Sequence, residues 1–269
     1  VLPKGGIYER TDNKMLSYDF RASATYNKTF NNTHIINLYG GMSVNKIDRH
    51  NTWFRGWGLQ YDMGMEPYYD YLAFKQGMES GSKYYTIGDS FYREVAFFFN
   101  GTYSYKGRYT INGTYRYEGT NKMGKSRKAR WLPTWNISGA WNVHEEKFFS
   151  HVQPALSHLS LKASYSLTAD RGPSYVTNSL AVIKASTPWR PTSGDTETGL
   201  KVSSLENAQL TYEKKHELNL GLDVGFVNNR INLAFDWYKR NNFDLIGTVT
   251  TQGIGGEISK YGNVAEMKS

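Results

Sequence analysis

Residues 16–30 read Leu-Ser-Tyr-Asp-Phe-Arg-Ala-Ser-Ala-Thr-Tyr-Asn-Lys-Thr-Phe, and this stretch decides the fold. Its even positions hold Leu16, Tyr18, Phe20, Ala22, Ala24, Tyr26, Lys28 and Phe30; its odd positions hold Ser17, Asp19, Arg21, Ser23, Thr25, Asn27 and Thr29. Period two over this length predicts one long strand with an apolar face and a charged one.

The pattern recurs along the chain. Residues 34–46 carry Ile36, Leu38, Met42 and Val44 on one side, and 95–105 carry Phe97, Phe99 and Tyr103. After Lys106-Gly107 the chain returns with Tyr109, Ile111, Tyr115 and Tyr117, as expected of a hairpin. Trp135, Ile137 and Trp141 mark 131–143, and Leu161, Ala163, Tyr165 and Leu167 mark 159–168. Leu218, Leu220, Leu222 and Val224 mark 216–226, followed by Ile231, Leu233, Phe235 and Trp237. About eight antiparallel strands result, longer than the five or six residues usual in soluble sheets.

The connections alternate in length. Short ones fall near Asn31-Asn32, Lys106-Gly107 and Asn228-Asn229, and a somewhat longer one covers 144–158. Long, polar ones cover about 51–91, 119–130 and 169–210, with no helical period of their own. Short turns on one side and long loops on the other describe an all-β, up-and-down transmembrane barrel segment, turns periplasmic and loops extracellular. A charge facing lipid at mid-membrane costs about 2–4 kcal/mol, so the face holding Asp19, Arg21, Arg116, Lys162, Asp223 and Asp236 must line the lumen. Aromatics near strand ends on the other face (Tyr18, Phe30, Tyr105, Tyr109, Tyr117, Trp131 and Phe226) suit the two interfacial girdles. The alternative is a soluble or surface-attached β-sandwich whose apolar face is a core.

Composition agrees. Aromatics make up 15% of the 269 residues, which favours half-buried pleated surfaces. The mean hydropathy of -0.61, with no apolar run near 18 residues, excludes helical spans but not strands that alternate lipid-facing and lumen-facing residues. With no Cys there is no disulfide framework, thiolate site or Cys nucleophile. The net charge of +8 is scattered, not clustered as a nucleic-acid footprint would be, so nucleic acid is not expected as a partner.

Few motifs carry chemistry. Gly119-Thr-Asn-Lys-Met-Gly124-Lys125-Ser126 matches the phosphate-loop spacing, but an alternating strand follows where that loop needs a helix. His144, His151 and His158 recur every seven residues near a turn without a metal-ligand spacing, so no metal or other cofactor is expected. Sequons begin at Asn27, Asn31, Asn100, Asn112 and Asn136, four of them inside strands, and read as lumen composition. Nothing marks a catalytic pair, and no enzyme is expected. More telling are the aromatics of the long connections: Trp53, Trp57, Tyr61, Tyr68, Tyr69 and Tyr71 in one, Trp189 in another. Flat rings suit capture of sugars or peptides, and equally suit a loop packed on itself.

Several segments together resemble one family. They are Arg108-Tyr-Thr-Ile-Asn112, Leu132-Pro-Thr134, Gly139-Ala-Trp-Asn-Val143, Glu145-Glu-Lys-Phe-Phe149, 161–168, Tyr212-Glu-Lys214, 218–223 and Asn228-Asn-Arg-Ile231. Their order and spacing resemble the SusC/RagA class of TonB-dependent outer-membrane transporters, convincingly from about Arg93 onward. The resemblance implies a barrel of roughly 22 strands around a plug. It also implies energy from TonB, import of oligosaccharides or peptides across the bacterial outer membrane, and a SusD-like lipoprotein lid. On this reading 1–269 is part of a single barrel domain, with plug, early strands and closing strands outside it; Asn263 to Ser269 resembles the start of a family motif that runs into a further strand. A passive porin, working without TonB, is the remaining expectation.

Overall fold

The computed structural model describes residues 5–67, 71–123, 127–152, 155–172, 181–186, 199–253 and 258–269. Its strands are β1 (Gly6–Phe30), β2 (His34–Gln60), β3 (Glu66–Pro67), β4 (Tyr85–Tyr105), β5 (Tyr109–Thr120) and β6 (Trp131–Asn142). They continue as β7 (Leu156–Asp170), β8 (Val182–Ser186), β9 (Gly199–Ser204), β10 (Glu213–Phe226), β11 (Ile231–Thr250) and β12 (Ser259–Lys268). Helices α1 (Tyr71–Glu79) and α2 (Arg127–Arg130) lie in connections. The main sheet runs β1-β2-β4-β5-β6-β7-β10-β11-β12, with β3 on β2 and a separate β8-β9 ribbon. Each long strand pairs with the next long strand along the chain, which is up-and-down topology; the single continuous sheet is not a sandwich.

All eight expected strands are present, and β12 is a ninth. Four were markedly underestimated: β1 starts at Gly6, β2 continues to Gln60, β4 starts at Tyr85, and β11 continues to Thr250. The connection expected over 51–91 therefore shrinks to 61–84. Beyond Lys46 the alternation of apolar and polar residues fades, so periodicity ends there while ladder hydrogen bonding with neighbours continues. The connections are also less irregular than expected. α1 occupies one, supported by Lys75 and Glu79 one turn apart at 3.9 Å, and β8 and β9 occupy another.

The chain divides into two compact units, one of Phe20–Val44, Glu94–Lys184 and Lys201–Ser269, the other of Val1–Asp19, Asn45–Arg93 and Ala185–Leu200. In the first, pairing register sorts residues by parity. Phe99 faces Tyr115, Tyr115 faces Trp135, and Trp135 faces Leu167. Further along, Ala163 faces Leu220 and Leu220 faces Trp237. The opposite face pairs Asn112 with Ser138, Ser138 with Ser164, and Ser164 with Asn219. Arg116, Lys162, Asp223 and Asp236 all share that polar face by register.

Aromatics band the apolar face. Near the extracellular ends, Tyr117 stacks on Trp131 (5.0 Å), Trp135 meets Tyr165 edge-on (5.5 Å), and His216 lies between Tyr165 (5.6 Å) and Phe243 (5.2 Å). His216 joins this row although nothing in its type announces it. Gly119 lies under Trp131, whose ring would be 2.6 Å from a Cβ there; the ring needs the glycine. At the periplasmic ends, Tyr109 and Trp141 stack at 6.2 Å. From Tyr109 to Tyr117 is about 27 Å along β5 at roughly 3.4 Å per residue, and strand tilt brings that near the height of an outer-membrane apolar band.

Backbone in the left-handed region closes the tight turns. Asn31 and Asn32 have φ of 48° and 53°, Lys106 and Gly107 of 53° and 69°, and Val227, Asn228 and Asn229 of 51°, 54° and 60°. Such turns match the twist of the strands they join. The longer periplasmic connection, between β6 and β7, centres on Glu146. This carboxylate accepts from the Tyr109 hydroxyl, from Arg108 Nη1 (3.2 Å) and from Trp141 Nε1 (3.4 Å). The Tyr109 hydrogen bond is the main cause that holds its carboxyl below the ordinary 4.5; the Trp141 bond and Arg108 add to it, while partial desolvation opposes them.

Two expectations follow. In the protein folded into a bilayer, Leu220→Arg should cost about 2–4 kcal/mol of stability, because the guanidinium would face lipid, whereas Asn219→Arg on the other face should be tolerated. Urea titration of the protein folded into lipid vesicles measures both; equal effects would reject the face assignment. Glu146 has a depressed pKa, so its contribution is complete above about pH 4.5 and is lost as pH falls through the folded value. The thermal stability gap between wild type and Glu146→Gln should therefore close on acidification below pH 4.5, and a gap independent of pH would contradict the network.

Candidate functional site

The four predicted ligand-binding aromatics among the described residues fall in three places. Trp53 and Trp57 are strand residues of β2, correcting their placement in a loop. They share the odd-numbered face with Asn45, Asn51 and Arg55. In this unit Arg55 lies over the Trp53 ring at 5.0 Å and is held by Glu9 Oε1, 2.7 Å from Nε and 2.5 Å from Nη2. Asn51 Nδ2 donates to Asn13 Oδ1 at 2.6 Å, and Asn45 Nδ2 to Asp19 Oδ2 at 3.3 Å. Arg55 N also donates to Tyr84 O at 2.7 Å. The result is a ring–cation–ring sequence on one strand face, bordered by two amides and a carboxylate.

Trp57 approaches α1, where a Cβ on Gly77 would be 4.0 Å from its ring. Tyr61 belongs instead to a 3-10 turn after β2 and covers the start of β1: its ring occupies the space beside Gly6, and its hydroxyl is 3.4 Å from Ile7 O. Tyr61 thus packs on its own chain. Tyr71 opens α1 and is 73% exposed. Tyr68, Tyr69 and Trp189 lie outside the described residues. Sequence reading missed Glu9, Asn13, Asn51 and Arg55. Continuing the parity count of β2 past Lys46 would have found Asn51 and Arg55, since they alternate with Trp53 and Trp57.

The polar face of the other unit carries linked ion pairs. Arg116 reaches both Glu94 (3.3 Å) and Glu118 (2.5 Å), and Arg171 also reaches Glu94 (2.7 Å). Lys162 contacts Asp223. Glu217 receives Lys215 (2.9 Å), Arg240 (2.8 Å) and Asn219 (3.0 Å). Arg21 covers the Phe98 ring at 4.9 Å and donates to Tyr39 at 2.9 Å. A wall so charged can present both signs to a polar solute or to protein filling the lumen, and cannot face hydrocarbon.

The remaining motifs acquire local explanations. A helix does follow the phosphate-loop spacing, contrary to expectation, but α2 is a single turn that runs directly into β6. Gly124, Lys125 and Ser126 lie outside the described residues. The rings of His144 and His158 come within 4.1 Å of each other, while His151 Nδ1 lies 3.4 Å from Phe148 O. Among the described residues no group of three or more potential ligands could hold a metal ion.

Comparison with known proteins accords with this geometry. Residues 5–269 match the family described as TonB dependent receptor-like, beta-barrel. TonB-dependent receptor P3 of Formosa agariphila is 26% identical over 250 residues, covering 91% of this chain and 23% of the relative. TonB-dependent receptor SusC of Bacteroides thetaiotaomicron is 30% identical over 150 residues, covering 51% of this chain and 15% of the relative. The chain thus spans less than a quarter of the length of these curated relatives. The structure of the RagAB peptide transporter superposes with a TM-score of 0.75 at 21% identity, over 99% of this chain and 29% of that one, a likeness of fold. These are receptors and not enzymes, and they place the strands in the bacterial outer membrane. The chain belongs to the TonB-dependent receptor-like β-barrel family.

Proposed function

We propose that residues 1–269 form part of the barrel wall of a longer importer that takes oligosaccharides across the outer membrane with energy from TonB, beneath a SusD-like lipoprotein lid. The observation that carries the substrate class is the run of Trp53, Arg55 and Trp57 on one face of β2, with Asn51, Asn13 and Glu9 beside it. Rings stack on the apolar faces of sugars, and amides and carboxylates bind their hydroxyls. The covered length supports the barrel role: the relatives are several times longer, leaving room for a plug and further strands. A peptide cargo is the second reading, favoured by the likeness of fold to the RagAB peptide transporter. A passive pore differs from both in needing no TonB.

The test is binding to the full-length transporter, followed by calorimetry with neutral oligosaccharides and with tryptic peptides. Replacing Trp53 and Trp57 together by Ala should weaken oligosaccharide binding roughly five- to 150-fold, at about 0.5–1.5 kcal/mol per ring, and leave peptide binding unchanged. Loss of peptide binding alone would establish the second reading, and unchanged binding of both would remove this face from the site. Uptake that persists in cells lacking TonB would establish a passive pore.

A further inference from the structure

Residues 207–212, between β9 and β10, are held by groups far from them in the sheet. Asn207 forms a turn, with Gln209 N donating to its Oδ1 (3.2 Å) and Leu210 N to its carbonyl (3.2 Å). Its Nδ2 donates to Tyr261 O of β12 at 2.7 Å. Two residues further along β12, Asn263 grips Thr211 by both backbone groups: Oδ1 accepts from Thr211 N (2.9 Å) and Nδ2 donates to Thr211 O (2.9 Å). The same Nδ2 donates to Asp244 O at 2.6 Å. Asp244 has φ of 57° where the β11–β12 register shifts, which frees that carbonyl from the ladder. A single side-chain amide thus satisfies a bulge and imitates a strand neighbour for a segment that has none.

The other side of this segment reaches β6, in the middle of the row. Leu210 and Tyr212 are 1% exposed, and Tyr212 forms a buried cluster with Met123 of the β5–β6 connection and Leu132 of β6. Thr211 Oγ1 lies 3.5 Å from the carbonyl of Ala129, at the junction of α2 with β6. In the sheet β6 and β12 are separated by β7, β10 and β11.

We propose that Asn263 is a positioning residue that fixes 207–212 as a strap from β12 to the base of the β5–β6 connection, holding the extracellular rim that carries Lys122, Arg127 and Arg130. The strap ties strands that share no ladder, so order at Asn263 and order at Met123 depend on each other, whatever solute the transporter carries.

Hydrogen exchange followed by mass spectrometry on the full-length transporter in detergent tests this coupling. Asn263→Leu should speed exchange at least tenfold both in peptides covering 207–212 and in peptides covering 121–130, with β5 and β7 unchanged. Asn263→Asp, which keeps the acceptor for the Thr211 amide and loses both donors, should fall between wild type and Asn263→Leu. Met123→Ala, which leaves the Asn263 amide intact, should loosen 207–212 from the other end. Faster exchange confined to the substituted end in either Asn263→Leu or Met123→Ala, or no change in either, would overturn the strap. If Asn263→Leu does not assemble, Met123→Ala alone decides.

Discussion

A charge cannot sit at the middle of a bilayer without a penalty of several kcal/mol, and the rest of this structure is arranged around that constraint. Side chains alternate along a strand, so one face must be given wholly to hydrocarbon and the other can hold every charge. The register carries this division from strand to strand: Leu220 meets Ala163 and Trp237, while its neighbour Asn219 meets Ser164 and Tyr238. The linked ion pairs then gather on one face, where Arg116 joins two carboxylates and Glu217 collects three donors.

Aromatics act where the division ends. Tyr109 and Trp141 meet a carboxylate at the periplasmic end, so each ring keeps its apolar body toward lipid and its polar atom toward Glu146. At the other end His216 takes a place in the aromatic row between Tyr165 and Phe243. Trp131 bridges two strands by lying over Gly119, a contact that needs both the large ring and the missing side chain.

What the sequence reveals follows from what generates periodicity. Within the apolar band, burial on one side forces alternation, and eight strands could be read from residues such as Phe97, Ile111, Ile137 and Leu220. Above the band both faces are polar, so nothing in the spacing of Asp48, His50 and Thr52 says that β2 continues to Gln60. Trp53 and Trp57 could be singled out by type but not placed, and Glu9 and Asn13, the partners of their neighbours Arg55 and Asn51, lie on β1, 46 and 38 residues upstream of those partners. α1 escaped notice because it is short, carries Gly77 inside it and lacks acidic residues in its first turn. The Asn263 amide was equally hidden, since a lone Asn in a strand gives no hint that it replaces a ladder partner.

The turns of three or four residues at 31–33, 106–108 and 227–230 leave no slack between the strands they join. Adding one residue inside a strand, or to one of these turns, would exchange the faces of everything paired beyond it. Length changes in the membrane-spanning part of such a chain must therefore come in twos or be absorbed by a bulge, as at Asp244. Single-residue insertions and deletions remain open to the longer connections, the extracellular ones above all, so this geometry leaves those connections as the part of the chain where lineages can diverge in length residue by residue.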